Sequence, residues 1–359
     1  MTGNMYIYGA GEYGKKLYSK ATNSGVFVEG FIDKYKSGEL NGKQILSMTE
    51  FRVSKRMDII ISVQNLYSCV EIYYEIKQYA KKIFWFWDGG DDRDLENELV
   101  EITNWGDCIL PRLDMHLSDK CNLNCVGCTH FSPLFDEVGC EYDECMNNLN
   151  KILSKYSGVA RLNLLGGEPL LNDDLTRIIP AIRKKMPNST IVFFTNGLLL
   201  CNVSEIILQV FKSNRIRIYI SDYKPTDKII KKIKDRLDRY GVLYTVARYD
   251  EKAVFNKPLC IDKNMNNKKK CISDGCVSVA AGKIARCPTL LYIDKLNHTF
   301  DCEFPNDGIY DLDDADLSGM EINKKMRERV SLCDYCIDNE IEWNICSKQR
   351  KLSDFVQVE

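Results

Sequence analysis

The chain carries no excess of either charge: 49 Lys and Arg stand against 51 Asp and Glu, for a net charge of −2. Phosphate backbones are gripped by clustered cations, so this balance gives no sign of a nucleic-acid partner. No apolar run reaches the length of about 18 residues that a membrane-spanning helix needs. The opening residues, Met-Thr-Gly-Asn-Met-Tyr-Ile-Tyr-Gly, lack the basic and apolar regions of a secretion signal. These absences predict a cytoplasmic protein with no membrane partner.

What the chain does have is cysteine, 16 of them in 359 residues. In a reducing compartment such a count favours metal ligation over disulfides. Three sit on one short stretch, Cys121-Asn-Leu-Asn-Cys125-Val-Gly-Cys128, directly after the strand-like residues 113–118. Three thiolates on a tight loop can hold three irons of a cubane [4Fe-4S] cluster and leave the fourth without a protein ligand. A zinc site calls for a fourth ligand nearby, and His130 is the residue in range for a Cys3His alternative.

The C-x3-C-x2-C spacing resembles that of the radical S-adenosylmethionine (SAM) enzymes. A second match is Arg161-Leu-Asn-Leu-Leu-Gly166-Gly167-Glu168-Pro169, which resembles the family's strand and GGEP turn. Two glycines at a strand end let backbone approach a ligand, and a carboxylate suits an ammonium. The resemblance implies that SAM chelates the open iron and is cleaved reductively, with Gly166, Gly167, Glu168 and Pro169 about its amino group. It also implies a reductant such as flavodoxin or ferredoxin. The family often has an aromatic residue before the third cysteine, where this chain has Gly127. No D-x-H-x-x-G loop marks a cobalamin site.

The first 90 residues read as a Rossmann-like α/β domain. Strand-like runs at 5–8, 26–32, 57–63 and 83–87 alternate with helical spacing at 15–22 and from 64 to about 80. Gly9-Ala-Gly11-Glu-Tyr-Gly14 lies between strand and helix, with Asp33 about twenty residues on, which is the dinucleotide fingerprint. Together with Gly30-Phe-Ile-Asp33 and residues 41–46, the run resembles the domain ahead of sugar O-acyltransferases. Two readings stay open: glycines that only permit a tight turn and close helix packing, or a nucleotide or nucleotide-sugar site at Gly9, Gly11, Gly14 and Asp33. Residues 91–108 read as a linker.

Residues 109–255 alternate strands (113–118, 161–165, 189–195, 215–221, 242–247) with helices (141–156, 175–185, 226–240), the pattern of a parallel α/β sheet. The expected fold is a partial (β/α)6 TIM-type barrel whose sixth strand comes from near 277–284 and whose site lies at the strands' C-terminal ends. By resemblance, Thr195, Asn196 and Ser221 contact SAM there, and Arg248 stands at the end of the fifth strand.

Residues 256–359 hold eight of the cysteines. Cys271, Gly282 and Cys287 resemble the hairpin pattern of SPASM and twitch extensions, which carry auxiliary [4Fe-4S] clusters. The ligand set the resemblance implies is Cys271, Cys287, Cys333 and Cys336, with Cys276 or Cys346 as substitutes; a tetrahedral zinc site including Cys333 and Cys336 is the alternative. Cys260 and Cys302 have no assigned partner, His298 reads as surface, and residues 348–351 as a solvated basic piece. The functional expectation is hydrogen abstraction from a small-molecule substrate, a sugar or nucleotide sugar, ending in oxidation or epimerisation. A peptide-modifying maturase is the alternative, and a zinc-binding scaffold is the alternative of another class.

Overall fold

The computed structural model describes residues 5–54, 56–87, 95–248, 254–263, 271 and 275–358. The chain divides into two compact units, 1–111 with 187–190, and 112–186 with 191–359.

The first unit is built on seven strands: β1 (Met5–Tyr8), β2 (Val28–Ile32), β3 (Gly38–Leu40), β4 (Lys43–Leu46), β5 (Asp58–Ile61), β6 (Lys82–Phe86) and β7 (Leu99–Glu101). They lie in the order β3-β4-β2-β1-β5-β6-β7. The central strands pair in parallel and read as short, nearly continuous apolar runs, as buried strands of an α/β sheet do. Leu17 and Ala21 of the helix Glu12–Asn23 pack onto Ile7, Phe31 and Phe86. The expected linker is corrected in part. Residues 88–94 lie outside the described residues, but β7 pairs antiparallel with β6, and Ile102 and Trp105 are buried. Leu99, Val100, Ile102 and Trp105 supply the apolar groups that draw this stretch onto the sheet.

The division between units falls inside β8 (Ile109–Ser118), which leads into β9 (Gly158–Gly166), β10 (Thr190–Thr195), β11 (Arg217–Asp222) and β12 (Leu243–Arg248). Then come β13 (Val254–Asn256), β14 (Leu259–Cys260), β15 (Ser278–Ala280), β16 (Lys283–Ala285), β17 (Ile309–Asp311), β18 (Glu340–Glu342) and β19 (Val356–Gln357). Eight of these form one sheet in the order β12-β11-β10-β9-β8-β15-β16-β17, a TIM-type α/β sheet with intervening helices. The sixth strand expected near 277–284 is β15. β15 pairs in parallel with β8 rather than beside β12, and the hairpin β15–β16 turns tightly through Ala281 and Gly282, both at positive φ.

Alternation along β8 explains its placement. Leu113, Met115 and Leu117 are fully buried, while Arg112, Asp114, His116 and Ser118 take the other face. Asp114 accepts both forks of Arg112 at 2.9 Å and the amide of Asn163 at 2.6 Å, and Asn163 accepts from Arg161 at 2.9 Å. A buried polar group costs stability unless paired, and here β8 and β9 pair theirs with each other.

Two helices depart from expectation. Glu205–Ser213 was not anticipated, and the span 226–240 is two helices, Lys224–Asp227 and Ile230–Tyr240. The break places Thr226 so that its hydroxyl donates to Asn196 O at 2.6 Å. Residues 348–351 are not helical. No helix among the described residues is long and apolar enough to cross a membrane.

Candidate active site

The loop from Cys121 to Cys128 follows β8 and lines a cavity of about 240 Å³. All three thiols face it, with Gly166 and Gly167 after β9, Thr195 and Asn196 after β10, and Ser221 and Tyr223 at and after the end of β11. Ends of neighbouring strands therefore converge on one space, and the lining among the described residues carries no Lys, Arg, Asp or Glu.

The two glycines are explained by backbone packing. A Cβ on Gly166 would stand 2.0 Å from Ser118 O, and one on Gly167 2.2 Å from Lys120 O. Gly167 N donates to Ser118 O at 2.6 Å and Glu168 N to Lys120 O at 2.9 Å. The turn after β9 is thus laid directly on the chain entering the cysteine loop, a contact no side-chain-bearing residue permits.

Glu168 is fully buried and does not line the cavity. Its Oε1 accepts from Leu170 N at 3.0 Å and the Thr195 hydroxyl at 2.8 Å, and its Oε2 from Asn196 N at 2.9 Å. Burial pushes the carboxyl up to about 7, against these three donors that hold it down. In this structure Glu168 fixes the strand-end residues Thr195 and Asn196, and the Gly166–Gly167 backbone is what faces the cavity. Asn196 in turn donates to Asn122 Oδ1 at 2.6 Å and approaches Cys121 Sγ at 3.8 Å.

The donor set around the sulfurs suits thiolates. Cys121 Sγ receives Leu123 N at 3.4 Å, and Cys125 Sγ receives the Trp343 indole at 3.2 Å. Burial raises all three thiols, Cys121 to about 11, so iron is the positive charge such buried sulfurs would need on losing their protons. His130 also lines the cavity, but its ring lies 4.7 Å from that of His116. Among the described residues no three His, Cys, Asp or Glu side chains are grouped as a single metal ion requires.

Residues 111–216 match the family model described as "4Fe-4S single cluster domain". Relatives include a GTP 3′,8-cyclase of Clostridium perfringens, 25% identical over 159 residues that cover 44% of each chain. Another, from Aquifex aeolicus, is 30% identical and covers 37% of this chain and 42% of its own. These matches support a radical SAM superfamily member. The chain spans less than half the length of these curated relatives. Among solved structures, BtrN in complex with AdoMet and 2-DOIA is 17% identical over 68% of this chain and 97% of its own, at a TM-score of 0.41. Streptococcus suis SuiB bound to S-adenosylmethionine is 20% identical over 38% and 33%, at 0.31.

The radical SAM motif's one irregularity has a local cause. Gly127 has a φ of +75°, where any side chain is strained, and a Cβ there would press on Lys257 Cβ at 3.1 Å and Asn256 O at 3.4 Å. Phe255 and Tyr223 line the cavity instead. Nothing in the motif itself signals either residue, nor Trp343, which donates to Cys125 Sγ.

The C-terminal cysteines sort into groups. Cys287 is pushed up to about 12 by burial, with Cys336, Cys271 and Cys333 adding to the rise. Cys336 reaches about 12 by burial, then Cys333 and Cys271. Cys287 and Cys336 thus each lie within electrostatic reach of Cys271 and Cys333. Cys276 faces Arg112, Asp114 and Arg161 as well as Cys271, while Cys346 is felt by Cys125 and itself feels Cys128. Cys346 therefore belongs beside the three-thiol loop, because the segment carrying it is bonded there. Cys302 donates to Phe300 O at 3.6 Å and does not line the cavity.

In the first unit, Asp33 ties the glycine turn to its own loop: Oδ2 accepts from Ala10 N at 2.8 Å, and Oδ1 from Tyr35 N at 2.9 Å and Lys36 N at 3.0 Å. Gly14 packs so that a Cβ would sit 1.9 Å from Gly9 O, whereas Gly11, at the helix N-terminus, has open space around it. Close packing thus accounts for Gly9 and Gly14 without a ligand. Arg248 ends β12, and its side chain lies outside the described residues.

Proposed function

We propose that this radical SAM protein oxidises a sugar or nucleotide-linked sugar at an unactivated C–H bond. The observation that carries the reading is the shared cavity, in which three thiols of one loop meet the Gly166–Gly167 backbone and the polar strand ends Thr195, Asn196 and Ser221. A [4Fe-4S] cluster with SAM held there would supply the reductive cleavage of SAM that initiates hydrogen abstraction from substrate.

The chain's own residues do the rest. Cys121, Cys125 and Cys128 would hold the cluster. Glu168 holds Thr195 and Asn196 in register without facing the ligand. Leu123, Leu165, Phe194 and Phe255 give the cavity apolar wall that excludes water from a reactive centre. Cys271, Cys287, Cys333 and Cys336 would hold an auxiliary cluster, an electron acceptor that favours oxidation. Epimerisation needs a hydrogen donor at the cavity, and Cys302 is not there. The support for a nucleotide-linked substrate is the Rossmann-like first unit with its open Gly11 turn. The relatives named GTP 3′,8-cyclase agree with a nucleotide-class substrate.

The test is 5′-deoxyadenosine release by anaerobically reconstituted protein with SAM and dithionite, with and without a pool of nucleotide sugars. Basal release that rises with one sugar nucleotide supports the whole reading. Basal release without stimulation moves the substrate to another class, such as a peptide. No release from iron-loaded protein overturns the proposal.

A further inference from the structure

The segment after Cys336 returns to the three-thiol loop and is bonded along it. Val126 N donates to Asn344 O at 2.9 Å, Cys346 N to Asn124 O at 2.9 Å, and Gly127 N to Asp354 O at 2.7 Å. Cys125 and Ile345 face each other as an antiparallel bridge. The loop that would hold the site cluster is therefore fixed by a stretch more than 200 residues later in the chain.

That segment carries Trp343, which is 9% exposed. Its ring stacks on Tyr223 at 5.7 Å and 30° and packs with Leu123 and Cys125. Indole nitrogen is a donor only, and a buried donor needs an acceptor. The group 3.2 Å from Nε1 is Cys125 Sγ. An iron-bound thiolate carries more negative charge than a thiol, and more still once the cluster is reduced. A donor aimed at it therefore stabilises the reduced state, and hydrogen bonds to the sulfurs are among the groups that set a cluster's potential.

We propose that Trp343 is a positioning residue that raises the reduction potential of the cluster held by Cys121, Cys125 and Cys128 through its hydrogen bond to the Cys125 sulfur. The inference rests on the cluster assignment above and adds a residue outside both recognition motifs. It places control of the electron that starts the reaction in the C-terminal segment rather than in the barrel.

The experiment is an EPR-monitored redox titration of the full, anaerobically reconstituted chain and of Trp343→Phe, which keeps an aromatic ring and loses the donor. The expected result is unchanged iron content and a midpoint shifted to more negative potential in the variant. An unchanged midpoint at equal iron content overturns the proposal. Should the variant not retain iron, the wild-type protein decides: grown with nitrogen-15 indole tryptophan, its reduced cluster shows hyperfine coupling to the labelled nitrogen. Absence of that coupling overturns the proposal. A wild-type chain with no reducible cluster signal refutes the cluster assignment itself, so the two failures are distinguishable.

Discussion

Glu168 shows how a residue can sit in a recognition motif and serve the fold. Three donors converge on its two oxygens in a site with no exposure. Its carboxyl titrates at about 7 against an ordinary 4.5, so the folded chain holds this proton more tightly than the unfolded chain does. Stability falls as pH rises between about 4.5 and 7 and is flat above, as far as this group decides it. Glu168→Gln offers fewer acceptor sites and should cost about 1–3 kcal/mol at pH 5, where the wild type is protonated. The gap should narrow by pH 8; urea denaturation of the cluster-free chain at both values checks this, and an equal gap would refute it. Cys125→Ala should lose the site cluster and all 5′-deoxyadenosine release, whereas Cys336→Ala should retain release while losing iron, measured together on each variant. The cysteine loop and the GGEP turn were legible because their chemistry is local in sequence. The role of the turn's glycines was not, since Ser118 and Lys120 crowd them from 47 residues or so upstream.

At the scale of elements, alternation and apolar runs located the five strands from β8 to β12, because each buries a face whose period shows in the sequence. The edge at which β15 joins left no trace in its own residues; pairing partners are set by the rest of the sheet. The helix Glu205–Ser213 did have a signal, Ser204 accepting from Ile207 N as an N-cap, but 62% exposed Ile206 blurs its periodicity. The segment from 343 onward holds no regular motif, yet its backbone pins the cysteine loop at three points. Removing residues 343–358 should therefore leave a chain that binds substantially less iron at residues 121–128. Iron retained in a chain that also carries Cys271→Ala and Cys336→Ala would report the site cluster alone; full retention would show that the loop needs no such backing.

For the whole molecule, the class of chemistry is written in two motifs, but the substrate is written in none. The cavity's lining is uncharged among the described residues. In the first unit Asp33 is bonded to the glycine turn at Ala10 N and to its own loop at Tyr35 N. Calorimetry of the full chain with a set of nucleotide sugars should show binding that Gly11→Val abolishes, since open space surrounds Gly11; no heat with any nucleotide sugar would remove the basis for that substrate class.

The order in which the chain is made follows from the same backbone bonds. The loop at 121–128 leaves the ribosome long before Asn344, Cys346 and Asp354 exist to bond it. At about 5–20 residues per second the wait is on the order of 10–45 seconds. During that interval Cys121, Cys125 and Cys128 are an unfinished thiol loop, open to oxidation and to stray metal. A nascent chain stalled before residue 340 should therefore be a poorer acceptor for a cluster than one extended past residue 354, as iron content of the two released chains would show.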